Sequence, residues 1–176
     1  DEFNGDNITI QQGSAGIVLR DSGSTDLPAA VSVGDDILFA GEIGLFNGLA
    51  QLEAGFGLLS TAGTNPVPTP APLDAATATA TDYEAAESTL VELSGVTFDD
   101  GDGSTVFDIT GGGVNYAINS GDPLIAVRVD RDVESTFENG GSGTGGARLI
   151  PTTQGSVTGI GGQFTSNTPA NDGYQV

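Results

Sequence analysis

The sequence predicts a mostly β chain folded as two β-rich units in tandem, with one short helix. Three observations lead there. Glycine makes up 28 of 176 residues, Thr, Ser, Asn and Asp are plentiful, and apolar residues fall in short alternating blocks between these turn formers. That is the pattern of short strands joined by tight connections. The segment 64–72 (TNPVPTPAP) carries four prolines in nine residues. Proline lacks an amide donor and fixes φ, so such a run stays out of sheet interiors and helices and reads as an extended linker. It divides the chain into units 1–63 and 73–176. Finally, the units repeat one another: ITIQQGSAGIVLR (8–20) aligns with YAINSGDPLIAVRV (116–129), and VGDDILFAGEIGLFNG (33–48) aligns loosely with PTTQGSVTGIGGQF (151–164).

In the first unit, residues 7–10 (NITI) alternate as a strand, 12–14 turn, and 15–20 (AGIVLR) form a second strand. Residues 21–27 (DSGSTDL) read as a loop. Val33-Gly34-Asp35 turns into a strand over 37–43 (ILFAGEI), and Asn47-Gly48 is a hairpin signal leading into a strand over 49–52. The second unit opens with the helix, over 82–88 (DYEAAES), with Thr81 or Asp82 as its N-cap. Strands follow over 90–98, 106–109, 114–118 and 125–129, with a turn at 99–104. Residues 137–146 are a glycine-rich loop, and 156–164 (SVTGIGGQF) form a strand with a glycine kink.

Charge narrows the function. There are 24 acidic residues against 4 basic ones, for a net charge of -20. The basic residues are Arg20, Arg128, Arg131 and Arg148, and lysine is absent. Such a surface repels phosphate backbones and anionic lipid, so nucleic acid is not an expected partner. No run reaches the ~18 apolar residues of a membrane-spanning helix. With no Cys there is no disulfide or thiol chemistry. With no His or Lys there is nothing to activate a Ser or Thr, and residues 13–16 (GSAG) are a turn rather than a nucleophile elbow. Paired carboxylates could cleave glycosides, but ring-holding aromatics are few: three Tyr, eight Phe and no Trp. Phe3, Phe46, Tyr116, Phe164 and Tyr174 could stack on bases, yet core packing suits most of them better. The glycine runs 111–113 and 140–146 lack a following Lys and a strand-to-helix context, and read as loops. The chain is therefore expected not to be an enzyme. Asn7-Ile8-Thr9 fits the N-glycosylation tripeptide.

Two acidic stretches invite a cation. Asp99, Asp100 and Asp102 crowd a glycine turn (DDGDGS), and calcium is the ion that flexible carboxylate oxygens suit. The trailing Glu of an EF-hand loop is missing, and a polar hairpin turn accounts for the same residues. Asp130, Asp132 and Glu134 alternate in the second stretch.

The repeat is unequal. The second unit has a long leading strand at 90–98, and the first has no counterpart to it. A β unit without its first strand exposes unpaired edges. Either that strand lies upstream in a longer protein, or another copy supplies it. The expected assembly edge is Asn7, Ile8, Thr9 and Ile10 together with Tyr174, Gln175 and Val176.

The phrases FNGDNITIQQGSAGIVL (3–19), VGDDILFAGEIGLFNGLAQLE (33–53), YEAAESTLVELSGVTF (83–98) and NDGYQV (171–176) resemble the OB-like β-barrel modules of large secreted bacterial proteins, which accompany extracellular endonuclease/phosphatase-type or anchored domains. The resemblance implies two OB-like Greek-key barrels or sandwiches in tandem, the first lacking its leading strand. It also implies an extracellular or cell-surface location. The family often carries a basic or aromatic binding face, and the basic part is missing here. Two functions are expected from this. One is a self-assembling cell-surface or filament subunit that binds copies of itself by strand complementation. The other is an accessory ligand- or nucleic-acid-binding module of a larger secreted nuclease or adhesin.

Overall fold

A computed structural model describes residues 7–20, 31–53, 57–63, 65–107, 113–129 and 149–176. Two tight hairpins frame the first half. β1 (Asn7–Gln12) and β2 (Ala15–Arg20) pair antiparallel from Asn7↔Arg20 to Gln12↔Ala15. β4 (Ile43–Phe46) and β5 (Leu49–Leu52) pair around Asn47-Gly48, where φ is 51° and 94°. A type I′ turn needs positive φ at both central residues, which Asn and Gly tolerate best. β2 also runs parallel to β5 through Val18↔Gln51 and Leu19↔Leu52, so the sheet order is β1-β2-β5-β4.

The strand expected over 37–43 is two strands in two sheets. β3 (Asp36–Ala40) pairs antiparallel with β6 (Gly57–Ala62), while the chain beyond Gly41-Glu42 continues as β4. β3 keeps the period of two, with Ile37 and Phe39 inward and Asp36, Leu38 and Ala40 outward. β6 is not among the strands expected from the sequence.

In the second half, β7 (Ala71–Asp74) emerges from the Pro-rich segment and lies parallel to β8 (Leu90–Val96). Ala71 and Pro72, expected in the linker, are therefore in a strand. Pro72 is tolerated because β7 is an edge strand, with one side free of ladder bonds. The helix, α1 (Ala80–Ala85), starts before the expected 82–88, and its N-cap is Thr79 rather than Thr81 or Asp82. The Asp82 amide donates to the Thr79 hydroxyl, and the Asp82 carboxylate accepts from the Thr79 amide at 2.8 Å, which closes a capping box.

β8 pairs antiparallel with β11 (Gly155–Ile160). Its inward side holds Val91 and Leu93, then Val96 after an extra residue opposite β11 shifts the alternation. β9 (Val114–Tyr116) pairs antiparallel with β10 (Ile125–Val129), β10 runs parallel to β13 (Tyr174–Gln175), and β13 pairs antiparallel with β12 (Gly162–Gln163). β11 and β12 are the two arms of the expected kinked strand. Between them Gly161 accepts from the Ser88 amide at 2.7 Å and donates to the Thr89 carbonyl at 2.9 Å.

The sequence repeat reappears as strand order. The sheets β1-β2-β5-β4 and β9-β10-β13-β12 share the same run of pairings: antiparallel, parallel, antiparallel. Each also has a companion strand, β3 or β11, which pairs antiparallel with one further strand. That further strand is β8 in the second half, ahead of the repeat, and β6 in the first half, behind it. Among the described residues no strand precedes β1, and β3 takes its antiparallel partner, β6, from later in the same half. The fold is mostly β with one short helix and several sheets, and the sheets do not close into a barrel among the described residues.

The core is unequal too. Val91, Leu93, Ile118, Val127, Val129 and Ile150 are wholly buried in the second-half cluster, joined by Tyr83 and Ala86 from α1 and its C-cap. Among the residues whose burial is described, the first-half cluster has Leu19 and Leu52 buried, with Ile8, Ile10, Ile17, Ile37 and Phe39 half-covered around them. A fully buried aliphatic side chain stabilises by roughly 1.5–3 kcal/mol, and polar contacts along a seam add to this where the two halves meet. There the Gln11 side-chain oxygen accepts from the Leu90 amide at 2.9 Å, and the Asn47 carbonyl accepts from the Thr165 amide at 2.7 Å. Gly16 lies so close to the Ser88 carbonyl that a Cβ would overlap it.

Gly16→Ala is therefore expected to destabilise the fold by about 1–3 kcal/mol in denaturant unfolding, since neither backbone can yield freely. Gly155→Ala, with open space around it, should stay within about 0.5 kcal/mol of wild type.

Candidate assembly surface

Edge strands are where sheets join, because their outer backbone groups have no ladder partner. Asn7, Ile8, Thr9 and Ile10 do lie on such a strand: β1 ends its four-stranded sheet. Ile8 and Ile10 turn toward the Leu19–Leu52 cluster. Asn7 is buried, and its Oδ1 has no hydrogen-bond partner among the described residues.

The C-terminal part of the expected edge is placed differently. Tyr174 and Gln175 form β13, paired on both sides, with β10 and with β12. Val176 accepts from the Arg128 amide at 2.9 Å and donates to the Ala126 carbonyl at 3.2 Å. Tyr174 and Val176 are 3% and 8% exposed. The Tyr174 ring packs on Tyr83 with centroids 5.5 Å apart, and its hydroxyl donates to Glu84 Oε2 at 3.0 Å. Adjacency to β10 is a long-range parallel pairing that no local pattern announces.

The other end of the first sheet was missed by sequence reasoning. β4 (IGLF) is also an edge strand, and Ile43 and Leu45, on one side of it, are 75% and 74% exposed. Val33 and Leu38 are exposed on and before β3. Natural edges are blunted by charge or proline; β4 has neither. The available signal was that absence of any charge across 43–46. On the other side of β4, Phe46 meets Phe164 edge-on with centroids 6.3 Å apart, and the Arg20 guanidinium sits 4.8 Å above the Phe46 ring. Phe46 and Phe164 are exposed, whereas Tyr116 and Tyr174 are core residues.

The three turn carboxylates do not converge. Asp99 accepts from the Ser120 and Gly121 amides at 2.7 and 2.6 Å, pinning one turn to another. Asp102 accepts from the Ser104 and Thr105 amides at 2.7 and 2.6 Å and from the Thr105 hydroxyl at 2.7 Å. These bonds, led by those from Thr105, hold its carboxyl well below the usual carboxylate range. Asp100 is exposed. Among the described residues no group of three or more His, Cys, Asp or Glu could hold a metal ion. Asp130, Asp132, Glu134, Phe3 and the loops expected over 21–27 and 137–146 lie outside the described residues. No described helix is long and apolar enough to cross a membrane. Comparison with protein-family models, with curated proteins and with solved structures finds no match to this chain.

Asp102→Ala should speed hydrogen exchange at the Ser104 and Thr105 amides, while Asp100→Ala leaves them unchanged. Because the folded carboxyl is lowered, wild-type protection should be present above the ordinary aspartate range and be lost as pH falls through the folded value. Calcium is expected to leave the Ser104, Thr105, Ser120 and Gly121 amide signals in place; their concerted movement would restore the cation reading.

Proposed function

We propose that this chain is a non-enzymatic, secreted structural protein, a cell-surface or filament subunit whose copies join by β-strand complementation. The observation that carries this reading is β4, an uncharged edge strand with Ile43 and Leu45 standing in solvent. A matching strand from a second copy would pair its outer backbone and cover both side chains, and β1 offers the opposite end of the same sheet. Such a contact is heterologous, so it propagates into a filament unless its rotation closes a ring. The shared strand order of the two four-stranded sheets supports OB-like Greek-key units in tandem, 1–63 and 73–176, with the Pro-rich segment 64–72 between them. The mode of addition has a precedent within the chain: β7 adds to the free side of β8, and the corresponding side of β6 has no partner strand among the described residues. The absence of His, Cys and Lys supports a non-enzymatic role.

A second reading, an accessory binding module of a larger secreted protein, is favoured by one spot. Arg20, Phe46 and Phe164 place a cation and two exposed rings together, the combination that stacks on bases or flat ligands.

Size exclusion and negative-stain electron microscopy across a salt series test the first reading. With a net charge of -20 on each copy, assembly should grow as salt shortens the screening length toward ~10 Å at 0.1 M. Leu45→Lys should leave unfolding unchanged and keep the protein monomeric. A wild type that stays monomeric at high salt and concentration, or a lysine variant that assembles as wild type does, overturns it. A salt-sensitive rise in anisotropy of a labelled single-stranded oligonucleotide would favour the second reading instead.

A further inference from the structure

Glu87 stands in the turn after α1, at the seam between the halves. Its carboxylate faces the backbone of Ala50, on β5 of the first half. Its Oε1 is buried and has no hydrogen-bond partner among the described residues. The backbone on either side holds it there: the Ser88 carbonyl lies under Gly16, the Ser88 amide donates to Gly161, and the Thr89 hydroxyl donates to the Ala86 carbonyl at 2.7 Å. Among the described residues, the titratable groups that bear on it are acidic or neutral. Glu84 on α1 bears on it directly, Tyr174 on β13 is already committed to Glu84, and Asp172 lies beyond the tyrosine. β5 contributes only the uncharged Ala50 amide.

An ionised carboxylate with one orphaned oxygen in a closed seam is costly, and more so beside a second carboxylate. The neutral acid removes the repulsion from Glu84 and lightens the cost of the orphaned oxygen. We propose that Glu87 is a proton-operated latch between the halves: neutral, it lets the first half close on the second, and ionised, it loosens that seam. Burial, and then the charge of Glu84, push its carboxyl up to about 7, with the Ala50 amide pulling the other way. The folded value is raised, so the closed form binds more protons than the open one. The contribution to closure is fully present below the ordinary value of 4.5 and is lost as pH climbs through about 7. Asp102, far from the seam in sequence and lowered rather than raised, has the opposite dependence.

The test is amide spectroscopy and hydrogen exchange on the full chain from about pH 5 to about pH 8, the window that spans this shift. The Ala50 amide should titrate with a midpoint near 7, and the Leu90 and Thr165 amides should lose protection over the same range. Glu87→Gln, neutral at every pH, should abolish the titration and keep these seam amides protected throughout. An Ala50 midpoint in the ordinary glutamate range, or a Glu87→Gln protein whose seam loosens with pH as wild type does, overturns the proposal. Should that variant misfold, the wild-type Ala50 midpoint decides alone.

Discussion

The largest apolar cluster among the described residues lies in the second half. The chain is 37% hydrophobic, and β8, β10 and Ile150 supply the wholly buried aliphatic side chains of that cluster, with Tyr83 and Tyr174 packed against them. The first half repeats the strand order but not the packing. Its hairpins are set by local turn chemistry, and its sheet meets the rest of the protein across the seam at three points: the backbone of Gly16 on Ser88, the Gln11 side chain on the Leu90 amide, and the Asn47 carbonyl on the Thr165 amide. Two copies of one strand arrangement thus differ in their described cores.

That inequality explains what could be seen beforehand. Turns whose geometry is local were legible: the β1–β2 connection, the Asn47-Gly48 hairpin, the kink at Gly161. So were strands with clean alternation, β10 above all, whose Ile125, Val127 and Val129 all face inward. Pairings decided at long range were not legible. β3 and β4 read as one apolar run, because nothing in 37–43 says that two different sheets will claim its ends. β6 and β7 were hidden by composition, the first in a Gly-rich stretch and the second behind prolines. The same limit governed the assembly edge. β1 was found because the repeat lacked a strand before it, while β4 was missed because being at an edge belongs to sheet order and not to any residue. Tyr174 and Gln175 lie instead on a strand paired on both sides.

The acidic excess also has a structural side. In a chain made of turns, backbone amides without ladder partners are abundant, and short carboxylates satisfy them. Asp35 takes the Ser32 amide, Asp74 that of Ala76, Asp82 that of Thr79, Asp99 those of Ser120 and Gly121, and Asp122 that of Leu124. These carboxylates fasten turns. Lysine and histidine are not needed for this work, since they donate where these turns require acceptors.

The position of β7 has a mechanical meaning. It leaves the Pro-rich segment and runs parallel to β8 over four successive pairs, from Ala71↔Val91 to Asp74↔Ser94. A pull along the strand from the proline side loads those rungs together, in shear, instead of peeling them off one at a time. The stiff run before it would transmit tension with little slack. The junction where a loose tether would be weakest is therefore built as a grip, and strain on the chain would reach the second half through the β11-β8-β7 sheet.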